Sequence, residues 1–358
     1  MVQKQAQSMA ENGYQVVVLT TKYEQSPQED GARTGIEVIR LPCWWVLENL
    51  FSIPFPLFSA RLFSQTWRQV KRADVVHIHD VFYINCWVAG ALAVLARRPI
   101  LLTQHVAMVE HSNSLVMFIQ KLVYRTIGRW IFSKARSIVV YNQNVHAFLR
   151  SEGVPETRIL FMANGIDTMK FCPATQDERI AIRRFFGLPQ ERRLALFVGR
   201  LVEKKGYQIL LEARDPAYDL VFVGPGAIPR DGRTQGVHWV GPLDQAQTCA
   251  LYRACDLFAS PAIGEIFTLV MQEAMACGLP VVTTDDPAYV GSITSGSLVL
   301  CRRDADSFRT AIKGLLADKD RLLALGVRSR ELAIRYFDWR ANISRLMDAY
   351  SDVLCREA

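Results

Sequence analysis

Three features that would point to particular classes of protein are missing from the sequence. No two of its eight cysteines stand at C-x-x-C spacing, which excludes a zinc ribbon or a dense disulfide framework and indicates reduced thiols. No run of about 18 or more apolar residues predicts a membrane span, and the first residues lack the pattern of a signal peptide. We therefore expect a cytoplasmic chain that is either soluble or peripheral at the cytoplasmic face of a membrane.

Positive charge is in excess, because Lys and Arg number 42 whereas Asp and Glu number 35, giving a net charge of +7. This balance favours an anionic partner such as a sugar nucleotide, an acidic membrane surface or a nucleic acid. No basic recognition helix and no aromatic ribonucleoprotein motif supports a nucleic acid, so we expect none. With 358 residues, 50% of them hydrophobic, the chain is long enough for two domains with sizeable cores.

The most informative stretch is 256–284, where an apolar strand, a short loop, an apolar helix and a second strand follow one another. Glu265 lies in the loop, and Glu273 lies inside the helix among apolar neighbours, so that Glu273 needs a partner. Gly278 and Pro280 predict the end of the helix, and its start falls at about 267–270. The unpaired amides of that first turn are a potential anion site.

Two interpretations of these carboxylates are open. In the first, Glu273 pairs with a buried arginine and Glu265 is solvated. In the second, which we favour, both bind a ligand, because they flank an amide-rich helix terminus inside a parallel-sheet unit. The E-x7-E spacing followed by A-M-A-C-G-L-P-V-V resembles the donor-site signature of the retaining, nucleotide-sugar-dependent glycosyltransferases of family four. This resemblance implies the GT-B fold, an α/β architecture of two Rossmann-like domains whose parallel sheets face each other across a cleft.

A basic turn follows the predicted strand 194–198 and reads Gly199-Arg200-Leu201-Val202-Glu203-Lys204-Lys205-Gly206. Its glycines allow the backbone to approach a ligand closely. A solvated turn would also explain these residues. The stretch matches G-R-L-x-x-x-K-G of the same family, however, and the resemblance makes Arg200 and Lys205 the clamp for the donor diphosphate, beside Gly199.

Three histidines lie near the ends of two predicted strands in the first half of the chain. His77 and His79 point to one side of the strand 73–80, but a metal site is not favoured because no further ligands are evident nearby. His105 follows the strand 100–103, at the carboxyl edge where open parallel sheets bind ligands. The residues alone support a structural and a ligand-binding role of His105 equally. The resemblance places His105 beside the transferred sugar.

The resemblance implies transfer of a hexose from a UDP- or GDP-linked donor to a hydroxyl of a glycan or lipid-linked acceptor, with retained configuration. It assigns Glu273 to the ribose hydroxyls and Glu265 to hydroxyls of the donor sugar. Amides at Phe267, Thr268 and Leu269 would add donors for the diphosphate, so we expect neither a metal nor a separate cofactor.

Two alternatives to a hexosyltransferase are a non-catalytic or truncated GT-B-like nucleotide-binding protein and a sugar-nucleotide epimerase. Ile266 and Thr268 replace the glycines of the family's usual E-G-F-G-L loop, which narrows the expected pocket and leaves the identity of the donor open. The cationic clamp and the two carboxylates argue against the non-catalytic alternative. An epimerase would convert the donor without any acceptor.

The resemblance also predicts how the chain is divided. Asn164-Gly165-Ile166-Asp167, followed by Phe171 and Pro173, resembles the N-G-V-D-x-x-x-F-x-P run that closes the family's first domain. The prediction is an acceptor-binding domain over 1–168, a nucleotide-sugar-binding domain over 174–337, and a terminal helix over 338–358 that crosses back to the first domain.

The beginning of the chain differs from the family pattern. The family's first strand and Gly-Gly loop are not found ahead of the predicted helix 2–12. We therefore expect an N-terminally truncated first domain with an empty strand position between the strands 14–21 and 73–79. Residue 1 would then be an internal methionine of a longer protein or the start of a truncated product.

Two segments raise the question of membrane attachment. Trp44–Phe63 is rich in aromatic residues and proline, and Ser114–Arg136 predicts a basic amphipathic helix. For both segments, ordinary packing competes with contact to an anionic lipid surface. The cations are Arg68, Lys71 and Arg72 after the first segment, and Lys121, Arg125 and Arg129 on one face of the second.

Overall fold

The computed structural model describes residues 2–21, 35–44, 56–108, 114–141, 143–162, 165–228, 235–262, 268–286 and 296–355. The chain forms two compact units. The first unit comprises 1–163 together with 342–358, and the second comprises 164–341. The last residues of the chain therefore complete the first unit.

The first unit alternates strands and helices. Its elements are α1 (Val2–Glu11), β1 (Val16–Thr21), β2 (Ile36–Leu41), β3 (Cys43–Trp44), β4 (Leu57–Phe58), α2 (Arg61–Arg72), β5 (Val76–His79), α3 (Ile84–Leu95), β6 (Ile100–Gln104), α4 (Ser114–Val123), a π-helical turn (Tyr124–Gly128), α5 (Arg129–Lys134), β7 (Ala135–Val140), α6 (Gln143–Ser151), a 3-10 turn (Glu156–Arg158) and β8 (Ile159–Phe161).

Strands β5, β6, β7 and β8 form a parallel sheet in that order. Its apolar face carries Ile78, Leu102 and Ile138, which pack with Ile131 of α5 in one buried cluster. Because side chains alternate along a strand, His77 and His79 of β5 lie on the other face. The sheet therefore has one apolar face and one face that carries polar side chains.

Strands β1 and β2 form a separate two-stranded parallel sheet, with Val16 opposite Ile36. Leu41 of β2 packs against Leu62 of α2 and Val88 of α3. The sequence predicts that the strand 14–21 is buried on both faces, and this prediction is wrong, because β1 is only half-buried and Val17 is 38% exposed. Among the described residues, β1 pairs only with β2 and β5 pairs only with β6.

The second unit is a contiguous stretch of alternating strands and helices. Its elements are α7 (Gln176–Phe185), β9 (Leu194–Val198), a 3-10 turn (Glu203–Lys205), α8 (Tyr207–Glu212), β10 (Asp219–Val223), β11 (Val237–Gly241), α9 (Gln245–Ala254), β12 (Leu257–Ser260), α10 (Leu269–Ala276), β13 (Val281–Thr284), β14 (Leu298–Cys301), α11 (Ala305–Ala317), α12 (Lys319–Leu332), a π-helical turn (Ala333–Phe337) and the start of α13 (Trp339–Cys355).

The described residues of the second unit form six parallel strands, in the order β11-β10-β9-β12-β13-β14. This is the strand order of a Rossmann fold, in which the first strand lies at the centre and the chain reverses direction across the sheet after the third. The core contains Phe197, Phe222, Leu257 and Val282 from four of these strands. Hence the sheet is buried on both faces by the flanking helices.

A carboxylate is buried at the amino edge of this sheet. Asp256, 6% exposed, accepts hydrogen bonds from Arg179 at 2.7 Å, Arg193 at 2.9 Å and Arg183 at 3.0 Å. It also accepts a hydrogen bond from the backbone amide of Leu194 at 2.8 Å. The buried charge of Asp256 is therefore compensated by three arginines, and these contacts join α7 to β9 and β12.

The predicted strand 194–198 is confirmed, and Gly278 follows α10 in the left-handed conformation, with φ +78°. All eight cysteines are free thiols. The predicted helix 114–136 is interrupted by the π-helical turn 124–128. None of the helices in the described part of the chain combines the length and the apolar character that crossing a membrane requires.

Candidate active site

The carboxyl edge of the second unit's sheet is the natural place for a ligand. The strand order reverses between β9 and β12, with β10 and β11 on one side and β13 and β14 on the other. In sheets of this type, ligands bind outside the carboxyl ends of the strands at that reversal. The turn 199–206 follows β9 and Pro261 follows β12. Both segments therefore lie at the reversal.

The turn after β9 presents two cations. Lys205 ends the 3-10 turn, and its Cδ lies 4.0 Å from the position that a Cβ on Gly199 would occupy. Arg200 is exposed, and no group in the described part of the chain pairs with its guanidinium. An uncompensated positive charge at this edge is suited to an anionic ligand.

Two glycines let this turn pack closely on its neighbours. Gly206 has φ +71°, and a Cβ there would lie 2.7 Å from the carbonyl oxygen and the Cβ of Pro261. Gly224, at the end of β10, has φ +134°, and a Cβ there would lie 2.0 Å from the carbonyl oxygen of Gly199. No other residue fits at either position without displacing backbone. The turn is therefore held against both neighbouring strand ends.

Helix α10 starts at the same edge. Its N-cap is Thr268, whose Oγ1 accepts a hydrogen bond from the amide of Met271 at 3.4 Å, and Leu269 is the first helical residue. The predicted helix start at 267–270 is confirmed. Glu265 and Phe267, which the sequence predicts as site residues, lie outside the described residues.

Glu273 is half-buried on α10 and does have a partner. The hydroxyl of Tyr252 on α9 donates a hydrogen bond to Glu273 Oε2 at 3.2 Å. Tyr252 is fully buried, and its burial and the nearby carboxylate raise the pKa of Tyr252 well above its usual value. Tyr252 therefore stays protonated and remains a hydrogen-bond donor to Glu273.

The first unit brings its three predicted histidines together. His79 Nδ1 lies 3.1 Å from His105 Nε2, and the two rings stack with centroids 5.4 Å apart. His77 lies 2.7 Å from Thr103 Oγ1 through Nε2 and 2.6 Å from the hydroxyl of Tyr350 through Nδ1. The polar face of the β5–β8 sheet therefore carries a connected histidine cluster that consists of His77, His79 and His105.

Neighbouring residues hold both the backbone amide and the ring of His105. Asp80, which follows β5 and has φ +61°, accepts a hydrogen bond from the amide of His105 at 2.9 Å. The ring of His105 also stacks on Tyr141 at a centroid distance of 5.4 Å. An aspartate tolerates the left-handed conformation better than most residues. This conformation turns its carboxylate towards the residues that follow β6.

Burial is the main cause of the shifted pKa values in the histidine cluster. It lowers the pKa of His77 well below its usual value, and together with the charge of His105 it lowers the pKa of His79 to about 3. Burial also lowers the pKa of His105, although the Asp80 carboxylate opposes this effect. The three imidazoles are therefore neutral near pH 7, so each ring offers one donor and one acceptor nitrogen.

Within the described ranges, no three histidine, cysteine, aspartate or glutamate side chains are arranged to hold a metal ion. Two Asp-x-Asp pairs occur in the second unit, but their first members cap helices. Asp304 accepts from the amide of Ser307 at 2.8 Å, and Asp318 accepts from the amide of Arg321 at 3.0 Å.

Sequence reasoning missed Tyr252, Asp80 and Arg303 as neighbours of the predicted site residues. Asp80 carries a local signal, because it ends a predicted strand next to two histidines. Tyr252 and Arg303 carry none, since their partners lie 21 and 42 or more residues away in the chain. Only the tertiary structure reveals these contacts.

The fold and the two sites define a class of protein. A parallel Rossmann-type unit with cations at its strand reversal, joined to a second α/β unit, is the architecture of GT-B glycosyltransferases. The profile described as glycosyltransferase family 4 matches residues 1–170, and the profile described as glycosyl transferases group 1 matches residues 178–332. The chain therefore belongs to the GT-B glycosyltransferases of family 4, group 1.

Individual proteins agree with this assignment. The chain is 27% identical over 336 residues to a D-inositol 3-phosphate glycosyltransferase of Corynebacterium glutamicum, covering 84% of this chain and 77% of that protein. Sucrose-phosphate synthase from Thermosynechococcus elongatus has a similar structure, with a TM-score of 0.71, 21% identity, and coverage of 99% of this chain and 93% of that one. The HepE protein of Anabaena in complex with UDP also has a TM-score of 0.71, with 17% identity and coverage of 95% and 100%. The two solved structures support the fold.

Proposed function

We propose that this glycosyltransferase transfers a hexosyl group from a nucleoside diphosphate sugar to a hydroxyl, with retention of configuration at the anomeric carbon. One observation carries the proposal. Arg200 and Lys205 lie at the strand reversal, on the same edge as the start of α10, and Arg200 has no partner in the described part of the chain. Preorganised cations and amides stabilise the negative charge that develops on a departing diphosphate. HepE was crystallised with UDP and with UDP-glucose, which supports a sugar-nucleotide donor.

The proposed reaction breaks the bond between the anomeric carbon and the diphosphate oxygen, and the diphosphate leaves with the electron pair. A bond forms from the acceptor oxygen to the anomeric carbon, and the acceptor hydroxyl transfers its proton to the departing diphosphate. Arg200 and Lys205, with amides at Thr268 and Leu269, would bind the departing diphosphate, so the proposal requires no metal ion.

The remaining predicted residues have distinct proposed roles. Glu273, oriented by Tyr252, would accept hydrogen bonds from the ribose hydroxyls of the donor. Glu265, which lies outside the described residues, would accept from hydroxyls of the donor sugar. His105, as a neutral imidazole, would hydrogen-bond to the transferred sugar. The name of the Corynebacterium glutamicum relative supports a phosphorylated polyol as one acceptor to be tested, beside glycan and lipid-linked acceptors.

The protein is further proposed to attach to an anionic membrane surface through α4. Leu115, Phe118 and Leu122 form a stripe along this helix and are 54%, 62% and 52% exposed. Exposed apolar side chains that form a continuous patch are typical of an interaction surface. The cations Lys121, Arg125 and Arg129 are exposed on the same helical segment, and they would interact with anionic head groups.

A panel of UDP- and GDP-linked hexoses, assayed for nucleotide release with and without acceptors, tests the proposed activity. We expect release that depends on an acceptor and persists in EDTA, and NMR of the product should show the anomeric configuration of the donor. Conversion of the donor without acceptor would instead identify an epimerase. Nucleotide binding without any turnover would identify a non-catalytic protein, and inverted product would contradict the stereochemical part of the proposal.

A further inference from the structure

Arg303 connects the two segments that meet at the strand reversal of the second unit. It lies just after β14, the edge strand, and is half-buried. Its Nε donates a hydrogen bond to the carbonyl oxygen of Pro261 at 2.9 Å, and its Nη2 donates to the carbonyl oxygen of Glu203 at 3.2 Å. One guanidinium thus holds the exit of β12 and the 3-10 turn that ends at Lys205.

The turn and the exit of β12 are also in close contact. Gly206 approaches Pro261 so closely that a Cβ would overlap it. The start of the turn is hydrogen-bonded to the exit of β10, from Gly199 N to Val223 O and from Leu201 N to Pro225 O. Its end, next to β12, has local backbone hydrogen bonds from Lys205 N to Val202 O and from Gly206 N to Glu203 O. A turn of this length has little stability of its own. Hydrogen bonds from a charged donor are stronger than those between neutral groups. Arg303 therefore supplies a charge-assisted link between the turn and the exit of β12.

We propose that Arg303 is a positioning residue for nucleotide-sugar binding, which holds the 199–206 turn against the exit of β12 so that Lys205 faces the diphosphate. The inference rests on the proposed function, because it assigns Lys205 to the donor. Arg303 acts through the two carbonyls and not through contact with the reacting atoms. Its planar fork suits two acceptors at once, whereas a lysine ammonium provides only a point charge.

The neighbouring Arg302 offers a matched control. Its side chain is 89% exposed and forms an ion pair with Asp304 at 3.8 Å. Replacing either arginine removes one positive charge from the same loop. A difference between Arg303→Met and Arg302→Met therefore reports the two carbonyl contacts and not the net charge.

The experiment measures binding of UDP and GDP by calorimetry, kcat and KM with the active donor, and amide hydrogen exchange over 201–206. For Arg303→Met we expect affinity for the nucleotide to fall about tenfold, which corresponds to loss of one or two charge-assisted hydrogen bonds. Exchange at Lys205 and Gly206 should become faster. Arg303→Lys should give an intermediate effect, and Arg302→Met should match the wild type in all three measurements.

The outcomes separate this inference from the proposed function. If the wild type binds neither nucleotide, the proposed function fails, while the exchange measurement still tests the positioning of the turn. If Arg303→Met exchanges at Lys205 and Gly206 as slowly as the wild type, the positioning role is overturned. Should Arg303→Met fail to fold, Arg303→Lys takes its place, and wild-type affinity and exchange in that variant would overturn the need for the fork geometry.

Discussion

Tyr252 donates a hydrogen bond to Glu273 from a fully buried position, across 3.2 Å and from one helix to the next. Because α9 and α10 are separate elements, this bond fixes the carboxylate relative to the sheet edge where α10 begins. A half-buried carboxylate that keeps such a partner retains its orientation when no ligand is bound. The pair is therefore a support for Glu273 that motif comparison does not reveal.

The first prediction concerns this pair. Tyr252→Phe should weaken nucleotide binding by about three- to tenfold, because Glu273 loses a donor that holds it towards the ligand. Calorimetry with UDP and GDP measures the effect. Tyr218→Phe is the control, since Tyr218 is also buried and donates to a carbonyl of the same unit, that of Ala213. Equal affinities for the two variants would contradict the proposed orientation of Glu273.

Removal of charge from the turn after β9 gives a second prediction. Arg200→Met and Lys205→Met should each lower kcat/KM by about 100-fold, the effect of losing one preorganised donor to a developing charge. The melting temperature should change little for Arg200, whose side chain is exposed. Lys204→Met, one residue from Lys205 and also exposed, serves as the control with the same change in charge. Wild-type kinetics in both site variants would remove these cations from the mechanism.

A third prediction tests the close approach of the turn to β12. Gly206→Ala should lower both the stability of the second unit and the activity, because the new Cβ would overlap Pro261 at 2.7 Å. Gly187→Ala is the control, since Gly187 has a similar φ of +65° and nothing within 4 Å of a new Cβ. In both variants the alanine is strained by the left-handed conformation, which costs about 1 kcal/mol. Chemical denaturation should therefore give a larger loss for Gly206, and equal losses would show that the turn can move away.

The histidine cluster leads to a fourth prediction, on pH. The pKa of His79 is about 3 in the folded chain against an ordinary value of 6.5, so below about pH 6.5 the unfolded chain binds a proton that the folded chain does not. The stability of the first unit should consequently fall as the pH is lowered from 7 to 5. His77 and His105 act in the same direction, since burial lowers the pKa of both. Asp80 opposes them, because burial raises the pKa of its carboxyl.

The pH prediction is tested by measuring the free energy of unfolding of the wild type and of His79→Gln between pH 7 and pH 5. Glutamine keeps a polar side chain but cannot titrate, so the slope for this variant should be smaller. Tyr141 and Tyr350, which also face the cluster, have a pKa raised by burial and stay neutral throughout this range. Identical slopes for the two proteins would show that His79 does not contribute.

The fifth prediction concerns the membrane. Phe118→Ser should reduce flotation with anionic liposomes, because it removes the centre of the apolar stripe on α4. Binding should also weaken at high salt, since head-group attraction is screened. Leu323→Ser is the control, because Leu323 is 70% exposed on α12 in the second unit. Lack of binding to anionic liposomes by the wild type at low salt would leave only a packing role for α4.

Local patterns predicted much of the second unit. The apolar run of β9, the left-handed Gly278 and the start of α10 all follow from neighbouring residues, and each is found where the sequence places it. The exposure of β1 could not be predicted in this way. Its run of valines is typical of a central strand, but burial depends on how many strands flank it, and in the described part of the chain β1 has one.

Contacts at the candidate site were less predictable than its elements. The pairing of His79 with His105 spans 26 residues and that of Arg303 with Glu203 spans 100. Sequence patterns identify the carboxyl end of each strand, but they do not tell which side chains meet there. The π-helical turn at 124–128 is a comparable case, because nothing in the periodicity of 114–136 indicates an additional residue in one turn.

Because His77 contacts Tyr350, the first unit cannot form all its contacts until the end of the chain has been synthesised. These residues lie 273 positions apart, and Arg136 likewise donates to the carbonyl of Val353. The whole second unit, over 164–341, is synthesised before Tyr350 and Val353. On the ribosome, the unit that is translated first is therefore the one that acquires its final contacts last, and it waits with an incompletely covered polar sheet face until the end of α13 emerges.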